Sequence, residues 1–126
     1  MGGVVLNGSD RAFCAGVDRK EGARDGLSYF EEFRSQSCIA AVAKMRTPVV
    51  GAINGATFTG GLEMALGCDF LIASERAVFA DTHARVGVLP GGGMTARLPQ
   101  VVGACGVDDL TGHRQPPGHR RAERIG

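Results

Sequence analysis

Residues 48–67 read Pro48-Val49-Val50-Gly51-Ala52-Ile53-Asn54-Gly55-Ala56-Thr57-Phe58-Thr59-Gly60-Gly61-Leu62-Glu63-Met64-Ala65-Leu66-Gly67. Proline lacks an N–H and breaks a preceding helix, so Pro48 marks a start. The apolar run Pro48–Ile53 is short and β-branched, which predicts a buried strand turned by Asn54-Gly55. Gly60–Gly67 then predicts a short helix entered through glycines.

The pattern continues on both sides. Downstream, Asp69–Ala73 and Ala77–Ala80 read as a third and a fourth strand, and Gly87–Gly93 as a loop. Met94–Val102 predicts a helix limited by Pro99. Upstream, Val4-Val5-Leu6 predicts a buried strand ending at Asn7-Gly8-Ser9-Asp10, and Ala12–Asp18 a loop of small residues. From Leu27 to Lys44 the chain has neither Gly nor Pro. Leu27, Phe30, Phe33, Ser37, Ala40, Ala41 and Lys44 fall at helical spacing there, with Asp25 near the expected start. Nearly all-apolar strands alternating with helices imply an α/β fold with both sheet faces covered.

Composition narrows the function classes. The net charge of +1 offers neither a nucleic-acid surface nor an electrostatic membrane anchor. No apolar run approaches the ~20 residues of a bilayer span. Cys14, Cys38, Cys68 and Cys105 are widely spaced, with no C-x-x-C pair and no His to complete a metal site. They read as buried free thiols of a reducing, cytoplasmic compartment. Asn7-Gly8-Ser9 matches a glycosylation acceptor but, without a secretory signal, reads as a turn. Glycine is the outlier: 20 of 126 residues, clustered at Gly2-Gly3, Gly60-Gly61 and Gly91-Gly92-Gly93. Such clusters mean tight turns or a backbone that approaches a ligand closely.

Two segments have the composition of a backbone anion site. In Phe13-Cys14-Ala15-Gly16-Val17-Asp18, small residues follow a strand and turn sharply. In the second, Ile53-Asn54-Gly55 leads through Thr57-Phe58-Thr59 to Gly60-Gly61 at a helix N-terminus, whose first N–H groups lack intrahelical acceptors. Two N–H groups aimed at one point would stabilise an oxyanion. Glu63 stands one turn into that helix among Leu62, Met64, Ala65 and Leu66. A carboxylate in such company is either paired or functional. No Gly-Lys-Ser/Thr follows a glycine loop and no G-x-G-x-x-G opens a βαβ unit, so a nucleotide cradle is disfavoured.

On these residues the sequence resembles the enoyl-CoA hydratase/isomerase (crotonase) superfamily. Val4–Gly8 through Phe13–Asp18 resembles its first oxyanion segment, and Pro48–Gly55 through Gly60–Ala65 its second. Cys68–Ala73 and Gly87–Gly93 continue the match in order, to about Gly112. The resemblance implies a crotonase-like spiral of ββα units. It implies that the N–H groups of Val17 and Gly60 hold a thioester carbonyl, and that Ala15, Val17, Asp18, Arg19, Lys20 and Gly60 contact coenzyme A or the acyl thioester. Coenzyme A would arrive as part of the substrate, with no separate cofactor and no metal. Glu63 would activate the water that adds at C3 of a 2-enoyl-CoA.

The sequence also departs from the family pattern. His83 stands where the second glutamate, the C2 proton donor, belongs, and Asp81 lies two residues away. Histidine can donate a proton near neutral pH. Hydratase, isomerase and non-catalytic acyl-CoA binder therefore all stay open, with an enoyl-CoA hydratase of the fatty-acid β-oxidation type leading. By the resemblance, the family's opening strands and helix would precede Val4 and its C-terminal helical region would follow, so the spiral is expected to be incomplete at both ends. Full-length relatives would form trimers or hexamers, an assembly not expected of this chain, which would be poorly stable or aggregate. Residues 1–112 are expected to form a partial acyl-CoA-binding domain, and residues 113–126 a disordered, non-family tail. That tail carries four Arg against Glu123 alone. Codons can be chosen for residues 113–124 that, read one nucleotide later, spell a family-like segment, so a frame slip after Gly112 is expected.

Overall fold

A computed structural model of the chain describes residues 2–35 and 37–111. The disordered tail expected over residues 113–126, and the frame slip expected after Gly112, lie outside the described residues.

The chain repeats one unit: a strand, a corner, a second strand, then helix. β1 (Val4–Asn7) and β2 (Ala12–Cys14) lead into α1 (Arg19–Ser35) and α2 (Cys38–Ala43). β3 (Val49–Ile53) and β4 (Ala56–Phe58) lead into α3 (Gly60–Leu66). β5 (Phe70–Ala73) and β6 (Val78–Ala80) are followed by a 3-10 turn (Ala84–Val86) and α4 (Met94–Thr111). The first strand of each unit joins one parallel sheet, ordered β1-β3-β5, and the second joins another, ordered β2-β4-β6. This is the expected α/β spiral of ββα units.

Asn54 holds successive corners in register. Its Oδ1 accepts the Gly8 N–H at 3.0 Å, and its Nδ2 donates to the carbonyls of Asp10 and Ala12 at 3.1 and 3.2 Å. A residue read as a plain turn thus also pairs the backbone of the corner beside it, where carbonyls would otherwise lack partners. Phe13, Ile53, Leu62, Ala65, Leu66, Phe79, Met94 and Leu98 form the core between the two sheets, α3 and α4.

Several expectations are corrected. Among the described residues nothing covers the outer face of the first sheet: Val5, Phe70 and Ile72 are 67%, 62% and 59% exposed. The register aligns Val5 with Val50 and Val50 with Phe70, so these outward positions form one row while Leu6, Gly51 and Leu71 point inward. β1 is accordingly half-buried rather than buried. The loop expected over Ala12–Asp18 contains β2, and β4 is a further strand between the Asn54-Gly55 turn and Gly60; both are short and lie in segments whose small or turn residues read as loop. The uninterrupted helix over Leu27–Lys44 is two elements. α1 begins at Arg19 and bends at Gly26, whose φ of 62° is left-handed, while Ser37 caps α2 by accepting the Ala40 N–H. α4 runs through Pro99 and bends at Gly103 instead. Of the cysteines expected to be buried free thiols, Cys38 is exposed and Cys14 and Cys68 are half-buried, all three free.

Candidate active site

The site forms where β4 enters α3 and β6 leaves its sheet. Thr59 adopts φ 52° and ψ −114°, a conformation uncommon for a β-branched residue. It is held by its N–H to the Ala80 carbonyl at 3.0 Å and by a 2.6 Å hydroxyl contact with Thr82. This sharp turn opens α3 at Gly60. Among the described residues, neither the Gly60 nor the Val17 N–H finds a hydrogen-bond acceptor. The two segments abut: a Cβ placed on Gly60 would lie 3.8 Å from both Gly16 Cα and Val17 Cγ2. Gly16 has φ 97°, which a side chain would strain, and a Cβ there would come within 3.5 Å of the Gly60 nitrogen.

Glu63 follows one turn later and is 3% exposed. Its Oε1 accepts the Gly92 N–H at 2.6 Å and the Met94 N–H at 3.3 Å, where the Gly91-Gly92-Gly93 loop enters α4. Two backbone N–H donors on one oxygen fix a buried carboxylate in orientation. Oε1 is thereby occupied, and Oε2 faces His83 Nε2 at 3.8 Å.

His83 is 6% exposed and is held by Asp81. Asp81 Oδ1 accepts the His83 backbone N–H at 3.0 Å and lies 2.6 Å from the ring Nδ1. Next to this group lies a half-open cavity of about 250 Å³, with Asp81 at one edge and Pro90, Met94, Leu98, Pro99 and Val107 along largely apolar walls. Among the described residues, no cluster of three or more His, Cys, Asp or Glu could hold a metal.

The structure thus brings Glu63 and His83 together, and Gly60 beside Val17. The other residues read as ligands to coenzyme A lie at the start of α1 and just before it. Ala15 and Lys20 are exposed, and the Lys20 N–H donates to Asp18 Oδ1 at 2.8 Å, so Asp18 caps the start of α1. Arg19 opens α1, but its side chain lies outside the described residues. Sequence reasoning gave no role to the Gly92 and Met94 amides, which no local pattern ties to Glu63. Asp81 carried a usable signal, because an Asp two residues before another residue commonly accepts its N–H.

The profile of the enoyl-CoA hydratase/isomerase family matches residues 1–125. The chain belongs to this family. It is 40% identical over 101 residues to a probable peroxisomal enoyl-CoA hydratase 1 of Arabidopsis thaliana, covering 80% of this chain and 38% of that protein. It is 34% identical over 125 residues to a probable enoyl-CoA hydratase of Rhodobacter capsulatus, covering 98% of this chain and 49% of that one. Among solved structures, an enoyl-CoA hydratase of Mycobacterium tuberculosis superposes with a TM-score of 0.70 at 47% identity, covering 94% of this chain and 46% of its own. DspI of Pseudomonas aeruginosa superposes with a TM-score of 0.79 at 32% identity, covering 94% and 45%. The chain therefore spans less than half the length of these relatives. Among the described residues, no helix is long and apolar enough to cross a membrane.

Proposed function

We propose that residues 1–112 form the oxyanion and acid–base half of an enoyl-CoA hydratase-like site, which adds water to 2-enoyl-CoA thioesters. The observation that carries this reading is the buried Glu63–His83 pair, 3.8 Å from Oε2 to Nε2, with Glu63 on the helix opened by Gly60, whose N–H finds no acceptor among the described residues. In this reading the N–H groups of Gly60 and Val17 hold the thioester oxygen. Glu63 Oε2 takes a proton from water as the water oxygen bonds to C3, and the displaced electron pair moves to the thioester oxygen as an enolate. His83, as imidazolium, returns a proton from Nε2 to C2. Losing one oxyanion donor typically costs about 2.7–4 kcal/mol of transition-state stabilisation. General acid–base assistance contributes roughly 10²–10⁴-fold. In this reading Ala15, Val17, Asp18, Arg19 and Lys20 would contact coenzyme A, and the apolar cavity beside Asp81 suits an acyl chain.

Relatives are named as peroxisomal in one case and mitochondrial in another. For this chain, the free thiols suit a reducing compartment such as the cytoplasm. The test is incubation with crotonyl-CoA, followed by loss of the conjugated thioester absorbance. Loss of absorbance supports the hydratase. Conversion of a 3-enoyl-CoA alone would indicate an isomerase, and binding of CoA esters without turnover a non-catalytic binder.

A further inference from the structure

His83 has two ring nitrogens, and only one faces Glu63. The other, Nδ1, lies 2.6 Å from Asp81 Oδ1. An ionised carboxylate can only accept a hydrogen bond, so the proton of that contact resides on Nδ1. The Asp81 side chain is 11% exposed, so little water competes for this bond. The same oxygen accepts the His83 backbone N–H at 3.0 Å, tying ring and backbone to one point. Thr82, between the two residues, is pinned to Thr59 by the 2.6 Å hydroxyl contact. Every residue from 81 to 83 is therefore fixed by a side-chain contact, which is more than a three-residue 3-10 turn requires.

We propose that Asp81 is a positioning residue. It holds His83 in the Nδ1–H tautomer so that the only proton His83 exchanges is on Nε2, facing Glu63. This rests on the hydration reading above and extends it to a closed proton cycle. After water adds, Glu63 is protonated at Oε2 and His83 is neutral, with a lone pair on Nε2. Passing the proton from Oε2 to Nε2, groups 3.8 Å apart, restores carboxylate and imidazolium with no external acid or base. With the opposite tautomer, Nε2 would already carry a proton and the return would be blocked.

Long-range ¹H–¹⁵N correlation of the full chain tests this directly. Only His83, His113 and His119 contribute, and His83→Gln identifies the signal. The resting pair is carboxylate and imidazolium, so spectra are recorded with the pH raised until the ring has lost one proton. The expected result is then a protonated Nδ1 and an unprotonated Nε2, with that preference lost in Asp81→Asn. A wild-type Nε2–H tautomer would overturn the proposal whether or not any variant folds. In kinetics, Asp81→Asn should lower kcat by roughly 10²–10⁴-fold, by analogy with the loss of the correct tautomer in Ser-His-Asp triads, and change KM less than about twofold. Asp81→Glu should recover part of the loss. A cap that serves only the turn predicts a lower Tm with unchanged kcat in Asp81→Asn, and that result would also overturn it. If the expected tautomer is found but neither wild type nor variant hydrates crotonyl-CoA, the hydration reading fails while the role of Asp81 in setting the tautomer stands.

Discussion

Replacing Gly92 with alanine probes how tightly the Glu63 carboxylate is held. A Cβ at this position would lie 2.5 Å from Ile39 Cγ2, 2.8 Å from Glu63 Oε2 and 2.9 Å from Glu63 Cδ. Carbon atoms pack at about 3.5–4.0 Å, so something must move by roughly 1 Å. Ile39 is buried in α2 and has little room, so the carboxylate or the residue 91–93 loop yields. Overpacking of this kind costs about 1–3 kcal/mol. Pulling the Gly92 N–H off Oε1 forfeits a bond to a charged acceptor worth about 1.5–3 kcal/mol. The total, roughly 2.5–6 kcal/mol, is a large share of the 5–15 kcal/mol that stabilises an ordinary domain. It corresponds to a Tm drop of about 10 °C or more. Gly92 lies outside the left-handed region, so backbone strain does not contribute. The neighbouring Gly91 is the control: nothing lies within 4 Å of a Cβ there, and Gly91→Ala should stay within about 0.5 kcal/mol of wild type. Thermal melts of both variants check this, with kcat as a second readout because Oε2 would shift relative to His83. A Gly92→Ala protein melting within 2 °C of Gly91→Ala (about 0.5 kcal/mol) would refute the reasoning.

The outward row of the first sheet supplies a second prediction. Val5, Phe70 and Ile72 present apolar side chains to solvent, and a flat apolar strand face associates. Phe70→Thr with Ile72→Thr should raise the monomeric fraction in size-exclusion chromatography, and no change would contradict it. A third concerns the thiols. Burial, reinforced by the Asp69 carboxylate, pushes the Cys68 thiol above its usual range, whereas Cys38 is exposed. At pH 8 Cys68 therefore carries less thiolate, and iodoacetamide should modify Cys38 at least about tenfold faster by peptide mass spectrometry. Raising the pH should narrow the gap, and equal rates at pH 8 would count against it.

The parts of the fold legible in the sequence are those with a local signal. β3 and α3 follow from the β-branched run Val49–Ile53 and the glycine-entered segment after Thr59, and both lie within a residue of the reading. Glu63 stood out because it is a charge among apolar neighbours, and it is indeed buried. β2 and β4 escaped notice because Ala12-Phe13-Cys14 sits in a run of small residues and Ala56-Thr57-Phe58 directly follows the Asn54-Gly55 turn. The start of α1 lies upstream of the Gly- and Pro-free window from Leu27, because the helix includes Gly22 and only bends at Gly26. The bonds from Gly92 and Met94 to Glu63 span 29 and 31 residues and arise only when α4 folds back over α3. The covered sheet was inferred from apolar strands, but apolar composition cannot tell a covered face from one left open to solvent, as at Phe70 and Ile72.

The central claim is that a carboxylate fixed at Oε1, with Oε2 facing His83, acts as a base toward water. Hydration of crotonyl-CoA by the wild-type chain and by Glu63→Gln, with melts showing both folded, tests it most directly. Glutamine keeps an oxygen that can accept the Gly92 and Met94 N–H groups but cannot take a proton from water. The account predicts turnover by the wild type and at least about 10²-fold less by Glu63→Gln, with binding of the CoA ester retained. Equal rates in the two proteins, or binding without turnover in the wild type, would contradict it.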